Sequence, residues 1–249
     1  MMAVITDALL IGIAVFAALA WGSNEPWSMA LIAVIALGLL AVRLAWDAWR
    51  GTLKIPRDTA LLPLALFLLY AGFHAAVESV ERHSSVLYLL LGLSCFSVIY
   101  LAQRNYGGQT GAKLLLIGVL ALGALEACYG LVQYLGDINS IWGHARTAYQ
   151  KLATGTLINR NHYALLMNCC ICSGVGYLYY RSLRLLRTDR LSLRLIAGSP
   201  HTGSLAWIVL WIALMGVALV FSMSRMGIAA MFCSVSAMAI LAKTAQSRM

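Results

Sequence analysis

Long apolar runs separated by short polar breaks dominate the chain. Eight runs approach the roughly 20 residues that a helix needs to cross a bilayer. They are Ala3–Trp21, Trp27–Trp46, Ala60–Ala76, Val86–Leu101, Leu114–Leu135, His162–Tyr180, Leu205–Phe221 and Met226–Leu241. The fourth and eighth are short and borrow a residue or two at each end. None alternates polar and apolar positions as the strands of a membrane barrel would, so helices are predicted. The first run is read as a retained span and not a cleaved signal, because Met1 to Thr6 carries no Lys or Arg and many further runs follow. The expected fold is all-α: a polytopic membrane helix bundle of about eight transmembrane helices. It is read as one domain over 1–249, with N-terminal spans in 1–113 and a second part from 114 onward.

Composition fixes the solvent. The 249 residues are 61% hydrophobic and only 11% charged, with a mean hydropathy of +0.82. Soluble domains are nearer one-quarter charged, and no soluble fold of this length hides so much apolar surface. A net charge of +9 raises the question of nucleic acid. In a membrane chain, basic cytoplasmic loops facing anionic headgroups explain the charge, and no nucleic-acid partner is expected. With the N-terminus in the cytoplasm, five of the 18 Lys and Arg fall outside: Arg82, Arg146, Lys151, Arg160 and Arg225. The other thirteen fall inside, which supports that orientation. Trp21, Trp27, Trp46, Trp49 and Trp142 lie at or near run ends, as in an aromatic belt. Arg181–Arg194, with arginines every three or four residues and leucines between, reads either as an interfacial amphipathic helix or as a solvated basic loop. Gly198-Ser199-Pro200 then breaks the chain before the seventh run.

Candidate chemistry lies in two polar breaks that this orientation puts on the outer side. The 26-residue loop Gly136–Asn161 ends in Asn159-Arg160-Asn161-His162, and the Ser224-Arg225 turn joins the last two runs. A guanidinium held near membrane depth calls for an anion, and its planar fork suits phosphate. The alternative for Arg225 is snorkelling to the interface. Asn159 and Asn161 are placed to cap a helix beginning near His162, either as an anion-binding terminus or as a plain cap. His162 is a candidate proton-transfer group or a polar anchor. Glu126, in mid-span, is a functional candidate by its place in the membrane, or a hydrogen-bonded group inside the bundle. Gln133, Tyr134 and His74 are candidates to line the same cavity. The six cysteines all sit inside apolar runs, and Cys169-Cys170-x-Cys172 reads as packing. No nucleophile elbow, zinc-protease motif or P-loop occurs, and neither a metal nor a cofactor is expected.

The breaks resemble a known family. Gly155-Thr156-Leu157-Ile158-Asn159-Arg160-Asn161-His162-Tyr163-Ala164 is similar to the Gly-Thr-Phe-x-Asn-(Pro/Arg)-Asn signature of the O-antigen ligase and polymerase superfamily. Ser222-Met223-Ser224-Arg225-Met226-Gly227 resembles its Ser-Arg-Gly motif, and Tyr129-Gly130-Leu131-Val132-Gln133-Tyr134 its Gly-Leu-x-Gln run. The resemblance covers about residues 115 to 235. It implies a metal-independent bacterial inner-membrane glycosyltransferase. The donor partner would be a glycan on undecaprenyl diphosphate, and the acceptor a lipid or another glycan. It implies that Arg225 holds the diphosphate and that Asn159, Arg160 and Asn161 help shape the site. Arg160 is placed in support of Arg225, and the residue reading adds His162, Ser224, Gln133 and Glu126 as site-shaping candidates. The family's later periplasmic loop with its catalytic histidine has no counterpart here. None of His74, His83, His144, His162 or His201 matches it, so no catalytic base is assigned. The chain is therefore expected to be an incomplete product whose missing part lies in a longer frame or a separate chain. The alternatives are a solute transporter, like relatives labelled bicarbonate transporters, with Glu126 and His74 on its path, or a non-catalytic subunit of polysaccharide assembly.

Overall fold

A computed structural model describes residues 2–20, 22, 25–53, 61–77, 81–105, 109–186 and 202–247. Among them are eight helices: α1 (Met2–Leu19), α2 (Pro26–Trp49), α3 (Leu61–Val77), α4 (Arg82–Asn105), α5 (Gln109–Leu135), α6 (Arg160–Leu186), α7 (Thr202–Phe221) and α8 (Arg225–Ser247). Each falls on one of the expected apolar runs, so the all-helical membrane bundle holds.

Among the described residues, fewer helices than the eight expected are able to span. Five are long and apolar enough: α2, α4, α5, α7 and α8. The apolar parts of α1 and α3 are short, at Ile5–Leu19 and Leu61–Val77. Helix α6 has the length, but Asn168, Ser173 and its tyrosines dilute its apolar character. It also runs past Tyr180 to Leu186, so the basic segment Arg181–Arg194 begins as a continuation of this helix. Residues 187–194 and the Gly198-Ser199-Pro200 break lie outside the described residues.

The chain forms two compact units, Met1–Leu115 and Leu116–Met249, dividing within α5. In the first, α4 packs against α1, α2 and α3. Its buried centres are Leu10, Leu39 and Leu101, and Ile13, Ile32 and Ala36. One end is closed by charge. Asp47 is buried at the end of α2, with its Oδ2 accepting from Arg43 Nε at 3.1 Å and Arg104 Nη2 at 2.8 Å. Arg104 also donates to the Thr52 carbonyl at 2.9 Å, tying α4 to the residues after α2.

In the second unit, α6 packs on α7 and α8 around Tyr163, Met167, Cys170, Met215 and Leu219. Lipid tails are as apolar as these side chains, so close approach and hydrogen bonds must hold the helices together. Small residues on α5 permit that approach. A Cβ on Gly123 would meet Cys170 Cβ at 2.6 Å, and one on Gly130 would meet the Tyr163 hydroxyl at 2.5 Å. The six cysteines are free, and of the Cys169-Cys170-x-Cys172 cluster Cys170 is buried in the packing while Cys169 is exposed.

Candidate functional site

The loop between α5 and α6 starts with a hairpin that the apolar pattern does not announce. Strands β1 (Ser140–Ile141) and β2 (His144–Ala145) pair antiparallel across Trp142-Gly143. Both turn residues have positive φ, 51° and 83°, the geometry of a tight two-residue hairpin. Tyr129 stacks on Trp142 at 5.2 Å, and its hydroxyl accepts the Trp142 N–H at 3.1 Å.

After the hairpin, Ala153–Leu157 is buried throughout. Buried loop backbone needs partners, and here side chains supply them. Glu126 takes Thr156 at both oxygens: Oε2 accepts the backbone N–H at 2.9 Å and Oε1 the hydroxyl at 2.5 Å. Gln133 Nε2 donates to the carbonyls of Gly155 at 2.9 Å and Ser140 at 3.0 Å. Gly155 sits at φ 60°, and a Cβ there would collide with Glu126 Oε2 and the Tyr163 ring. Only glycine fits both the backbone and the space. Ala153 N–H reaches the Phe221 carbonyl at the end of α7, at 3.1 Å.

Arg146 is the loop's internal staple. It is 6% exposed and donates to Thr154 Oγ1 at 2.6 Å, the Ile138 carbonyl at 3.0 Å and the Leu152 carbonyl at 3.2 Å. Burial pulls its pKa below the usual guanidinium value. In the sequence Arg146 stands out only as one of the outer loop's charges. Its pairing with Thr154 links residues eight apart in an irregular loop, where no periodicity signals a contact.

The staples deliver the chain to the start of α6 in one orientation. Asn159 caps it: its side-chain oxygen accepts the Asn161 N–H at 2.8 Å, and its carbonyl the Tyr163 N–H at 3.0 Å. At α8, Ser224 does the same for the Gly227 N–H at 3.3 Å and the Ile228 N–H at 3.0 Å. The two caps are linked, because the Ser224 hydroxyl donates to Asn161 Oδ1 at 2.9 Å. The amino ends of α6 and α8 therefore open side by side. A Cβ on Gly227 would meet Ala164 Cβ at 2.5 Å, so glycine sets how closely these helices approach.

Between them lies a cavity of about 740 Å³ lined by Arg160, Asn161, Leu165, Asn168, Met223, Ser224, Arg225, Met226, Gly227, Ile228 and Ala230. Its polar edge carries two arginines and, among the described lining residues, no carboxylate. Arg225 is exposed. Arg160 lies 5.5 Å over the Tyr149 ring, which a left-handed backbone at φ 54° presents to it. Two helix amino termini add partial positive charge to the two guanidinium groups. Chemically, such a place offers positive charge and hydrogen-bond donors to an anionic group.

The structure thus brings Arg160, Asn161, Ser224 and Arg225 to one cavity, with Asn159 behind them as the cap. The other candidates lie elsewhere. His162 is exposed on the first turn of α6 and outside the lining. Glu126 and Gln133, each 1% exposed, do not line the cavity but hold the loop that leads to it. Tyr134 packs on Phe221 with ring centres 4.4 Å apart. His74 belongs to the other unit. No group of three or more His, Cys, Asp or Glu fit for a metal occurs among the described residues. Comparison of the chain with family models, curated proteins and solved structures returns no match.

Proposed function

We propose that the protein belongs to the O-antigen-ligase type of bacterial inner-membrane glycosyltransferase, with its N-terminus in the cytoplasm, and that the cavity between α6 and α8 binds the diphosphate of a lipid-linked glycan donor. One observation carries the reading. Arg160 and Arg225 come from motifs 65 residues apart and meet at a cavity whose described lining holds no acidic residue. An arginine pair without carboxylates is held ready for an anion. The apolar lining from Leu165, Met226, Ile228 and Ala230 suits the lipid end of such a donor. In the transfer step, charge builds on the diphosphate as the sugar leaves, and fixed cations stabilise it.

Arg225 makes the larger contribution because it is exposed at the mouth, whereas Arg160 is partly engaged by Tyr149. Asn159, Asn161 and Ser224 orient the two helix termini. The transport reading needs Glu126 on a permeation path; both its oxygens are occupied by Thr156, and no observation favours that reading. The test is an Arg225→Ala allele at the native locus, with surface glycan measured on gels. Transfer is expected to fall by ten-fold or more at unchanged protein level, in the range of losing one electrostatic contact to a transition state. Unchanged surface glycan would overturn the proposal.

A further inference from the structure

Asn168 is 7% exposed, lines the cavity, and sits two turns into α6 from Asn161. Its Nδ2 donates to the Gly227 carbonyl at 2.8 Å. That bond fixes which way the amide faces, since turning it would set two oxygens against each other. The other atom, Oδ1, is then left buried with no partner among the described residues. A buried acceptor without a donor is costly, and few persist in folded proteins without a reason. Of the other described residues lining the cavity, Leu165, Met223, Met226, Gly227, Ile228 and Ala230 have no side-chain donor to offer.

We infer that Asn168 is a specificity residue whose Oδ1 accepts a hydrogen bond from a hydroxyl or amide N–H on the ligand, close to its phosphate. The inference rests on the phosphate reading above and narrows it. The preferred ligand is an anionic amphiphile with a donor group on its head, as in a sugar phosphate, and not a bare phosphate ester of the same charge. The bond from Nδ2 to the Gly227 carbonyl, two residues beyond Arg225, ties Asn168 to the same end of α8, and both side chains line the one cavity.

Two lipids separate the contributions. Phosphatidylglycerol and phosphatidylmethanol carry the same single negative charge, but only the first has head-group hydroxyls. Binding of each to the detergent-solubilised full chain is measured by native mass spectrometry. The wild type is expected to hold phosphatidylglycerol about five-fold more tightly, the range of one net hydrogen bond. Asn168→Leu is expected to abolish that preference while phosphatidylmethanol still binds, which also certifies the fold. Arg225→Ala is expected to weaken both lipids alike. Equal binding of the two lipids by the wild type would overturn the role of Asn168, with no variant needed. A preference that survives Asn168→Leu would overturn it too. If Arg225→Ala leaves both affinities and the preference intact, the phosphate reading fails while the acceptor role of Asn168 stands.

Discussion

Two arginine pairs, one in each unit, are treated in opposite ways. In the first, Arg43 and Arg104 converge on Asp47, which is buried between them at 3.1 and 2.8 Å. In the second, Arg160 and Arg225 converge on a cavity, and neither makes an ion pair among the described residues. A buried carboxylate of the second unit, Glu126, faces the backbone and hydroxyl of Thr156 instead. Paired charge at a helix end locks structure, while unpaired charge at a cavity mouth is available to a ligand. The same residue type therefore reads as architecture in one place and as a site in the other.

That contrast can be broken by substitution. The largest expected effect is from Asp47→Ala. It strands two partly buried guanidinium groups and should lower the stability of the first unit by about 3 kcal/mol, seen as an earlier thermal transition in detergent. Lipid binding at the cavity should not change. Next is Glu126→Ala, which leaves the Thr156 N–H and hydroxyl without acceptors inside the bundle. A loss of about 2 kcal/mol is expected, with faster hydrogen exchange confined to residues 153–157. Glu126→Gln should recover part of it, because one acceptor oxygen remains. Arg225→Ala should do the reverse of Asp47→Ala. Anion affinity falls about ten-fold, or about 1.4 kcal/mol, with the unfolding temperature unchanged. Arg160→Ala is expected to give the smallest effect, about three-fold on affinity, since its charge is shared with the Tyr149 face. If Arg225→Ala instead destabilised the protein as Asp47→Ala does, the distinction between paired and unpaired arginine would fail.

Much of this was legible in the sequence. The apolar runs mark all eight helices because a lipid-facing helix is apolar on most sides and needs no finer pattern. The meeting of Asn161 with Ser224 fits the expectation that both breaks lie on one side: the eight-run reading puts them after an odd number of crossings, five and seven, from an inside start. The count of spanning helices was not legible, because an apolar run says little about whether a helix such as α6 is diluted by Asn168 and its tyrosines. The hairpin was missed because its turn uses Trp142-Gly143 and not the usual Asn-Gly signal. The roles of Gln133 and Arg146 were missed, and Glu126 was legible only as a hydrogen-bonded group inside the bundle without its partner, for a common reason. Each satisfies backbone of an irregular loop, and such contacts leave no period or spacing in the sequence. Asn168, two turns beyond the Asn159-Arg160-Asn161 motif, was not singled out for the same reason.

The most direct test of the unpaired-arginine account is the affinity of the solubilised chain for undecaprenyl diphosphate, measured side by side for wild type, Asp47→Ala and the Arg160→Ala/Arg225→Ala double variant. The account predicts at least a thirty-fold loss in the double variant, the product of the two single effects, and none in Asp47→Ala. Equal affinity in wild type and double variant would contradict it.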